Sequence, residues 1–203
     1  MHPKPFQELI KHFSSLPSIG PKMAERLTLY LFKQSPEDIG SFAQSLEALT
    51  KLSFCKRCFN VSDQEYCSLC RDTQRDQTII CVVEDALDAI AIERSSFFHG
   101  TYHILGGNLE TGKNGETNEP SLTIEKLLHR INKEKTQEIL LATNPTTEGD
   151  LTALYIKRKL HIFPSLRISR IAKGLATGGD IEYADEQTLI GALKNRRYYD
   201  TSV

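Results

Sequence analysis

The sequence predicts an α/β protein with a mostly parallel sheet flanked by helices in its C-terminal part. An α-helical N-terminal segment precedes it, and a small metal-held clip lies between the two. Three observations predict this. From about residue 77 onward, short aliphatic runs alternate with amphipathic stretches, the order of a sheet with crossover helices. Before residue 54, apolar residues recur only at helical spacing. Between these regions lie two Cys-x2-Cys pairs. The changes of pattern divide the chain into 1–53, 54–76 and 77–203.

In the first segment Phe6, Leu9, Ile10 and Phe13 fall at i, i+3, i+4, i+7, one face of a helix. Leu16-Pro17-Ser18-Ile19-Gly20-Pro21-Lys22 follows. Pro17 stops the first helix, Gly20 is expected to permit a tight turn, and Pro21 suits the first position of the next helix. Ala24, Leu27, Leu31 and Phe32 continue an apolar face. Two short helices joined this way look like a helix-hairpin-helix. In that motif the glycine lets backbone N–H groups approach a DNA phosphate at a helix N-terminus. Ile19, Gly20, Lys22 and Arg26 are the candidate DNA-binding residues, the first two in the turn and the last two, one helical turn apart, able to clamp the same strand. The plainer reading is a helical hairpin whose Lys and Arg are simply solvated. A third helix is expected from Pro36 to about Leu52, with Ser35 as its cap and Ile39, Phe42, Leu46 and Leu49 on its apolar face.

The pairs Cys55/Cys58 and Cys67/Cys70 are separated by eight residues. Each can turn two thiolates toward one point, and four thiolates at tetrahedral positions suit one structural Zn²⁺ per chain. Residues 59–66 are too polar and too few for a core of their own. Two disulfides or a redox pair are the competing uses of such cysteines. The fifth, Cys81, sits in Ile79-Ile80-Cys81-Val82-Val83 and reads as a small buried hydrophobe.

The C-terminal part reads as a strand at Thr78–Val83, a helix at Asp85–Arg94, and a strand at Thr101–Leu105. A polar loop runs from Gly106-Gly107 to about Pro120, then a helix at Leu122–Ile131 and a strand at Glu138–Ala142. A helix at Thr147–Leu160, a strand at Arg167–Ile171 and a last helix at Asp185–Lys194 complete it. In such sheets function gathers at the C-terminal strand ends. Here these offer Glu84, then Thr143 to Glu148, then Lys173-Gly174-Leu175.

Bulk composition narrows the classes. The chain has 203 residues, 39% hydrophobic and 25% charged, which is ordinary for a soluble globular protein. A net charge of −1 gives no global pull toward nucleic acid or membrane, so DNA affinity must come from local patches. No apolar run approaches the roughly 20 residues of a membrane span. Met1 to Phe6 lacks the apolar stretch of a signal peptide. Cysteines in metal spacing fit a reducing compartment, so a cytoplasmic location is expected.

A strand ending in Glu, followed later by a strand ending in an acidic loop, resembles the Toprim domain of topoisomerases and primases. That resemblance implies acid–base chemistry at Glu84 and an Asp-x-Asp holding Mg²⁺ after the later strand. This chain has Asn144-Pro145-Thr146 there, a far weaker Mg²⁺ site than paired carboxylates. Glu148 and Asp150 follow at shifted positions. The resemblance supports a Toprim-like fold and undercuts catalysis.

The whole order of motifs resembles the RecR family of bacterial recombination mediators. The hairpin Leu16–Lys22, the four cysteines, Val82-Val83-Glu84, Ala142–Gly149 and Ile171–Asp185 carry the resemblance. The loop Asn108–Pro120 departs from it by lacking a Gly/Pro-rich run. The resemblance implies a further division of the last part into 77–175 and 176–203. Membership implies no chemical step. It implies dimers or ring-like tetramers, DNA held through the hairpin region, and work with RecO and RecF to load RecA onto single strands. On this chain Lys22 and Arg26 would face DNA, and Glu84, Asp88 and Glu148 would lie on an acidic partner surface. That edge also reads as a residual metal site or as solvated charge. The alternative class is a Mg²⁺-dependent nuclease or nucleotidyl transferase using Glu84. Gly178-Gly179-Asp180 reads as a turn or a nucleotide contact. Lys157-Arg158-Lys159, with Arg167, Arg170 and Lys173, reads as a solvated helix end or a DNA contact.

Overall fold

Proline opens each of the first three helices, because its missing N–H and fixed φ cost nothing at a helix start. They are α1 (Lys4–Ser14), α2 (Pro21–Phe32) and α3 (Pro36–Leu49). The computed structural model describes residues 2–111, 117–118 and 123–198. It divides into two units, one ending at Leu52 and one beginning at Ser53.

In the first unit α1 packs on α2. The contact buries Ala24 and Thr28 and sets Phe6 edge-on to Phe32 at 6.3 Å. Ser35 caps α3, its hydroxyl accepting from the Asp38 N–H at 3.1 Å. The helix stops at Leu49, three residues before the expected end. Thr50, Lys51 and Leu52 donate instead to carbonyls three residues back, a tightened last turn. The apolar side of α3 stays exposed, from 39% at Ile39 to 60% at Leu49.

The second unit begins with a ribbon, β1 (Ser53–Phe54) against β2 (Val61–Ser62), and one helical turn, α4 (Ser68–Arg71). It continues with β3 (Asp76–Val83), α5 (Ala86–Arg94) and β4 (Gly100–Ile104). A second ribbon pairs β5 (Glu110–Thr111) with β6 (Thr117–Asn118) inside the expected 108–120 loop. Residues 112–116 and 119–120 of that loop, and Leu122 of the following helix, lie outside the described residues. Next come α6 (Ile124–Lys133), β7 (Glu138–Leu141), α7 (Thr147–Lys159), β8 (Arg167–Arg170) and α8 (Glu186–Lys194).

The sheet runs β4-β3-β7-β8, all parallel, with Ile80 opposite Thr101 and Ile139, and Glu138 opposite Arg167. Alternation along β3 divides its apolar residues between two cores. Ile80 and Val82 meet Leu127 and Ile131 of α6 and Ile156 of α7. Cys81 and Val83 meet Ala89 of α5 and, from the cysteine clip, Phe59 and Leu69. Both faces are covered, as a continuous apolar strand requires. The clip therefore belongs to the second unit and helps cover one face of its sheet.

Candidate metal centre and nucleic-acid interface

The β1–β2 ribbon fixes the first cysteine pair. Cys55 N–H donates to Asn60 O at 2.7 Å and Phe59 N–H to Cys55 O at 3.0 Å. Phe59 takes a φ of 64° to close this knuckle. The second pair sits at the start of α4, where Cys70 and Arg71 donate back to Cys67 O at 3.1 Å. The four Sγ atoms lie within 4.8 Å of one another; Cys55, Cys58 and Cys67 are buried and Cys70 half-buried. Zn–S bonds of about 2.3 Å place tetrahedral sulfurs about 3.8 Å apart, so the four residues fit one zinc ion. Cys67 N–H also donates to Cys55 Sγ at 3.4 Å. A hydrogen bond to Cys70, with burial, pushes the Cys58 thiol up. The same Cys58 hydrogen bond draws Cys70 down to about 6. A divalent cation held by the four would displace the protons of the ligating thiols.

The clip is tied to the sheet at two points. Ile104 N–H, on the edge strand β4, donates to Cys58 O at 2.8 Å. Arg57 forms a bidentate pair with Glu134, both bonds 2.9 Å. Glu134 also accepts from Arg130 at 3.0 Å, and Arg130 donates on to Tyr102 O and Thr101 Oγ1. Burial opposes the Glu134 charge, but Arg57 and Arg130 hold it below the usual carboxylate range. Sequence reasoning missed this bridge, because nothing local pairs Arg57 with Glu134, 77 residues on.

In the hairpin the left-handed residue is Ser18, with φ 64°, not Gly20. Gly20 is extended (φ −82°) and caps α2, and a Cβ there would meet nothing within 4 Å. The expectation that Gly20 makes the turn is corrected on this point. What glycine provides is open space over the helix start. The N–H groups of Gly20 and Lys22 have no acceptor among the described residues, whereas Met23 and Ala24 donate back to Gly20 O. Ile19 is half-buried and anchors the turn; Lys22 and Arg26 are exposed. Gly20, Lys22, Glu25 and Arg26 line one open hollow. Free amides, a helix N-terminus and two cations thus face the same space.

At the strand ends the carboxylates go separate ways. Glu84 is only 6% exposed. Its Oε1 accepts from Asn144 N–H and its Oε2 from Asn144 Nδ2, both at 2.8 Å. Gly149 makes room for this: a Cβ there would overlap Asn144 O and lie 2.7 Å from Glu84 Oε1. Asp88 closes a capping box with Asp85 at the start of α5, accepting the Asp85 N–H at 2.9 Å. Asp150 binds Arg170 at 3.2 Å and Lys173 at 2.5 Å. Burial works against its charge, but Lys173 and Arg170 keep it below the usual range. Glu148 is exposed in the first turn of α7. The pairing of Glu84 with Asn144 and Gly149 was hidden in the sequence; Asn144 was visible only as a missing Asp.

Of the basic cluster, Lys159 pairs with Glu125, Arg167 with Glu138, and Arg170 and Lys173 with Asp150. Lys157 and Arg158 stay exposed. The glycine block forms a turn, with Gly178 at φ 85° and Gly179 N–H donating to Ala176 O.

Comparison with known proteins agrees segment by segment. Family models match the RecR helix-hairpin-helix over residues 6–50, the RecR four-cysteine zinc finger domain over 52–72, a Toprim domain over 78–172 and the RecR C-terminal region over 174–197. The cysteine cluster is thus a zinc site. A recombination protein RecR of Chloroflexus aggregans is 45% identical over 95% of this chain and 93% of its own length. One of Synechococcus elongatus is 43% identical over 97% and 98%. One of Saccharopolyspora erythraea is 41% identical over 97% and 99%. Matched in every module and along nearly its whole length, the chain belongs to the RecR family.

Proposed function

We propose that this chain is a sequence-independent DNA-binding mediator of recombinational repair that carries out no chemical step of its own. Its relatives are named recombination proteins, and the helix-hairpin-helix gives the mode of DNA contact. The single observation that carries the reading is the use made of Glu84. Both its oxygens are engaged by Asn144, whose amide occupies the position from which a second carboxylate would help hold Mg²⁺. A residue committed to two structural hydrogen bonds is a poor proton shuttle.

Contact with DNA runs through Gly20, Lys22 and Arg26, with Ile19 holding the turn, and goes to phosphates rather than bases. The protein works in the cytoplasm with RecO and RecF to load RecA onto single-stranded DNA at gaps. Homodimers or ring-like tetramers add up several weak basic patches through effective concentration. The exposed apolar side of α3, Ile39 to Leu49, supports self-association. The acidic strand ends form the partner surface. Glu148 and Asp88 lie at helix starts there, and Glu84 supports the loop beneath from Asn144 to Glu148.

A cleavage and primer-synthesis assay with Mg²⁺ tests the absence of chemistry. No turnover is expected, and activity that disappears in Glu84→Gln would favour the enzyme instead. Light scattering with and without DNA tests the ring; a strict monomer removes it. Glu148→Lys is expected to weaken a pull-down of RecO, and normal recovery would move the docking site elsewhere.

A further inference from the structure

A second positively charged surface lies in the α/β unit, on residues the hairpin does not include. The cysteine clip and α6 enclose a groove of about 300 Å³, at the small end of ligand-sized pockets. Its walls carry Lys56 and Arg57 from the clip and Lys126, His129, Arg130 and Lys133 from α6, against one lining carboxylate, Glu134. A chain with net charge −1 has thus drawn five of its lysines and arginines to one hollow. Glu65 pairs with Lys56 at 3.2 Å, and Glu134 neutralises a further part of this charge and also orients it. Its two oxygens hold Arg57 and Arg130 in place, and Arg130 is further tied to Tyr102 and Thr101. Lys126, His129 and Lys133 recur along one exposed stripe of α6. Seven residues of helix carry Lys126 and Lys133 about 10 Å apart.

Two aromatic rings complete the groove. Phe59 is fixed edge-on against His103 at 5.3 Å and lies half-buried. Tyr66 is 43% exposed. A cationic track beside an accessible aromatic ring is the arrangement that holds a single strand, with phosphates on the lysines and a base stacked on the ring. A duplex keeps its bases stacked and unavailable to such a ring. The geometry points to this groove as a binding site for single-stranded DNA, distinct from the hairpin site at α2, with Lys126 and Lys133 contacting phosphates and Tyr66 stacking a base.

The test uses the full-length zinc-loaded protein and fluorescent oligothymidylate. Lys126→Glu with Lys133→Glu changes two exposed side chains, so zinc content and melting temperature should match the parent. The salt slope on the single strand should fall by about 0.7 for each phosphate no longer neutralised, about 1.4 for the pair. The same fall should appear when the hairpin already carries Lys22→Ala and Arg26→Ala, which separates the two sites. Tyr66→Leu should weaken oligothymidylate binding on the order of tenfold and leave duplex binding unchanged. Photocrosslinking of thymidine to the peptide containing Phe59 and Tyr66 would support the site directly.

An unchanged affinity and slope in the lysine pair overturn the proposal, even if the hairpin variant loses DNA. So does a lysine pair that loses an oligoglutamate peptide while keeping oligothymidylate, which would assign the groove to an acidic protein segment. Should Tyr66→Leu release zinc, the lysine pair alone decides.

Discussion

The four cysteines and the carboxylates Glu84, Asp88, Glu148 and Asp150 come from the same unit, yet the cysteines converge and the carboxylates do not. The difference is one of distance along the chain. Each cysteine pair is closed by a local turn, so only one further closure, between ribbon and α4, is needed to assemble the site. The carboxylates are spread over the end of β3 and the starts of α5 and α7, and three of the four are engaged by other groups. Glu84 takes the Asn144 amides, Asp88 the Asp85 amide, and Asp150 two cations.

The largest effect expected from disturbing this contrast is at the clip. Cys67→Ser removes one of four ligands, and zinc should be absent on metal analysis. Structural zinc contributes on the order of 10–16 kcal/mol in small peptide sites, so the second unit should melt much earlier by calorimetry. Phe59 and Leu69 would then no longer cover the sheet face around Cys81 and Val83. A protein purified without zinc, and equally stable, would contradict the account.

Asn144→Asp probes the contrast from the other side. It replaces the donor 2.8 Å from Glu84 Oε2 with a second carboxylate. Glu84 is 6% exposed while Asn144 is exposed, so losing this donor should cost about 1–3 kcal/mol in urea unfolding. The paired carboxylates should also create what the native strand ends lack, so Mg²⁺ should raise the melting temperature of the variant and not of the parent. Equal magnesium response in both proteins would mean that Asn144 is not what closes the site.

A smaller change is expected at the hairpin. Lys22→Ala with Arg26→Ala should lower DNA affinity about tenfold. It should also flatten its salt slope by roughly 0.9 per phosphate contact on duplex. Fold and zinc content should be unaffected, because both side chains are exposed.

The smallest effect is at Asp150, whose side chain is 43% exposed. Burial disfavours its charge, but Lys173 and Arg170 hold the folded pKa below the usual value. Such a group stabilises above its unfolded pKa, near 4, and loses that contribution as pH falls through the folded value. Asp150→Asn should therefore cost up to about 1 kcal/mol at neutral pH. The gap from the parent should narrow as pH falls below the unfolded value and close once it has passed the folded one, measured by urea titration across the acid range.

Several features are legible in the sequence itself. The cysteine spacing named the metal site because the motif is local and its geometry is fixed by a few bonds. The alternation of Thr78–Val83 with the helices around it pointed to the parallel sheet, because a strand buried on both faces must be apolar throughout. Proline at positions 21 and 36 marked two helix starts to the residue. Other features were misread. Gly20 looked like the turn residue, but Ser18 takes the positive φ and Gly20 clears space. Composition does not distinguish a glycine used for its dihedral from one used for its missing side chain.

The helix starts, the cysteine knuckles, the apolar strands and the missing Asp-x-Asp could all be read along the chain. Each depends on residues within a few positions of one another. Which polar groups satisfy each other was settled by packing alone. Glu84 with Asn144, Arg57 with Glu134 and Asp150 with Lys173 are separated by 60, 77 and 23 residues. A buried charge takes whichever partner the packed elements bring within hydrogen-bond reach, and that choice has no local signature.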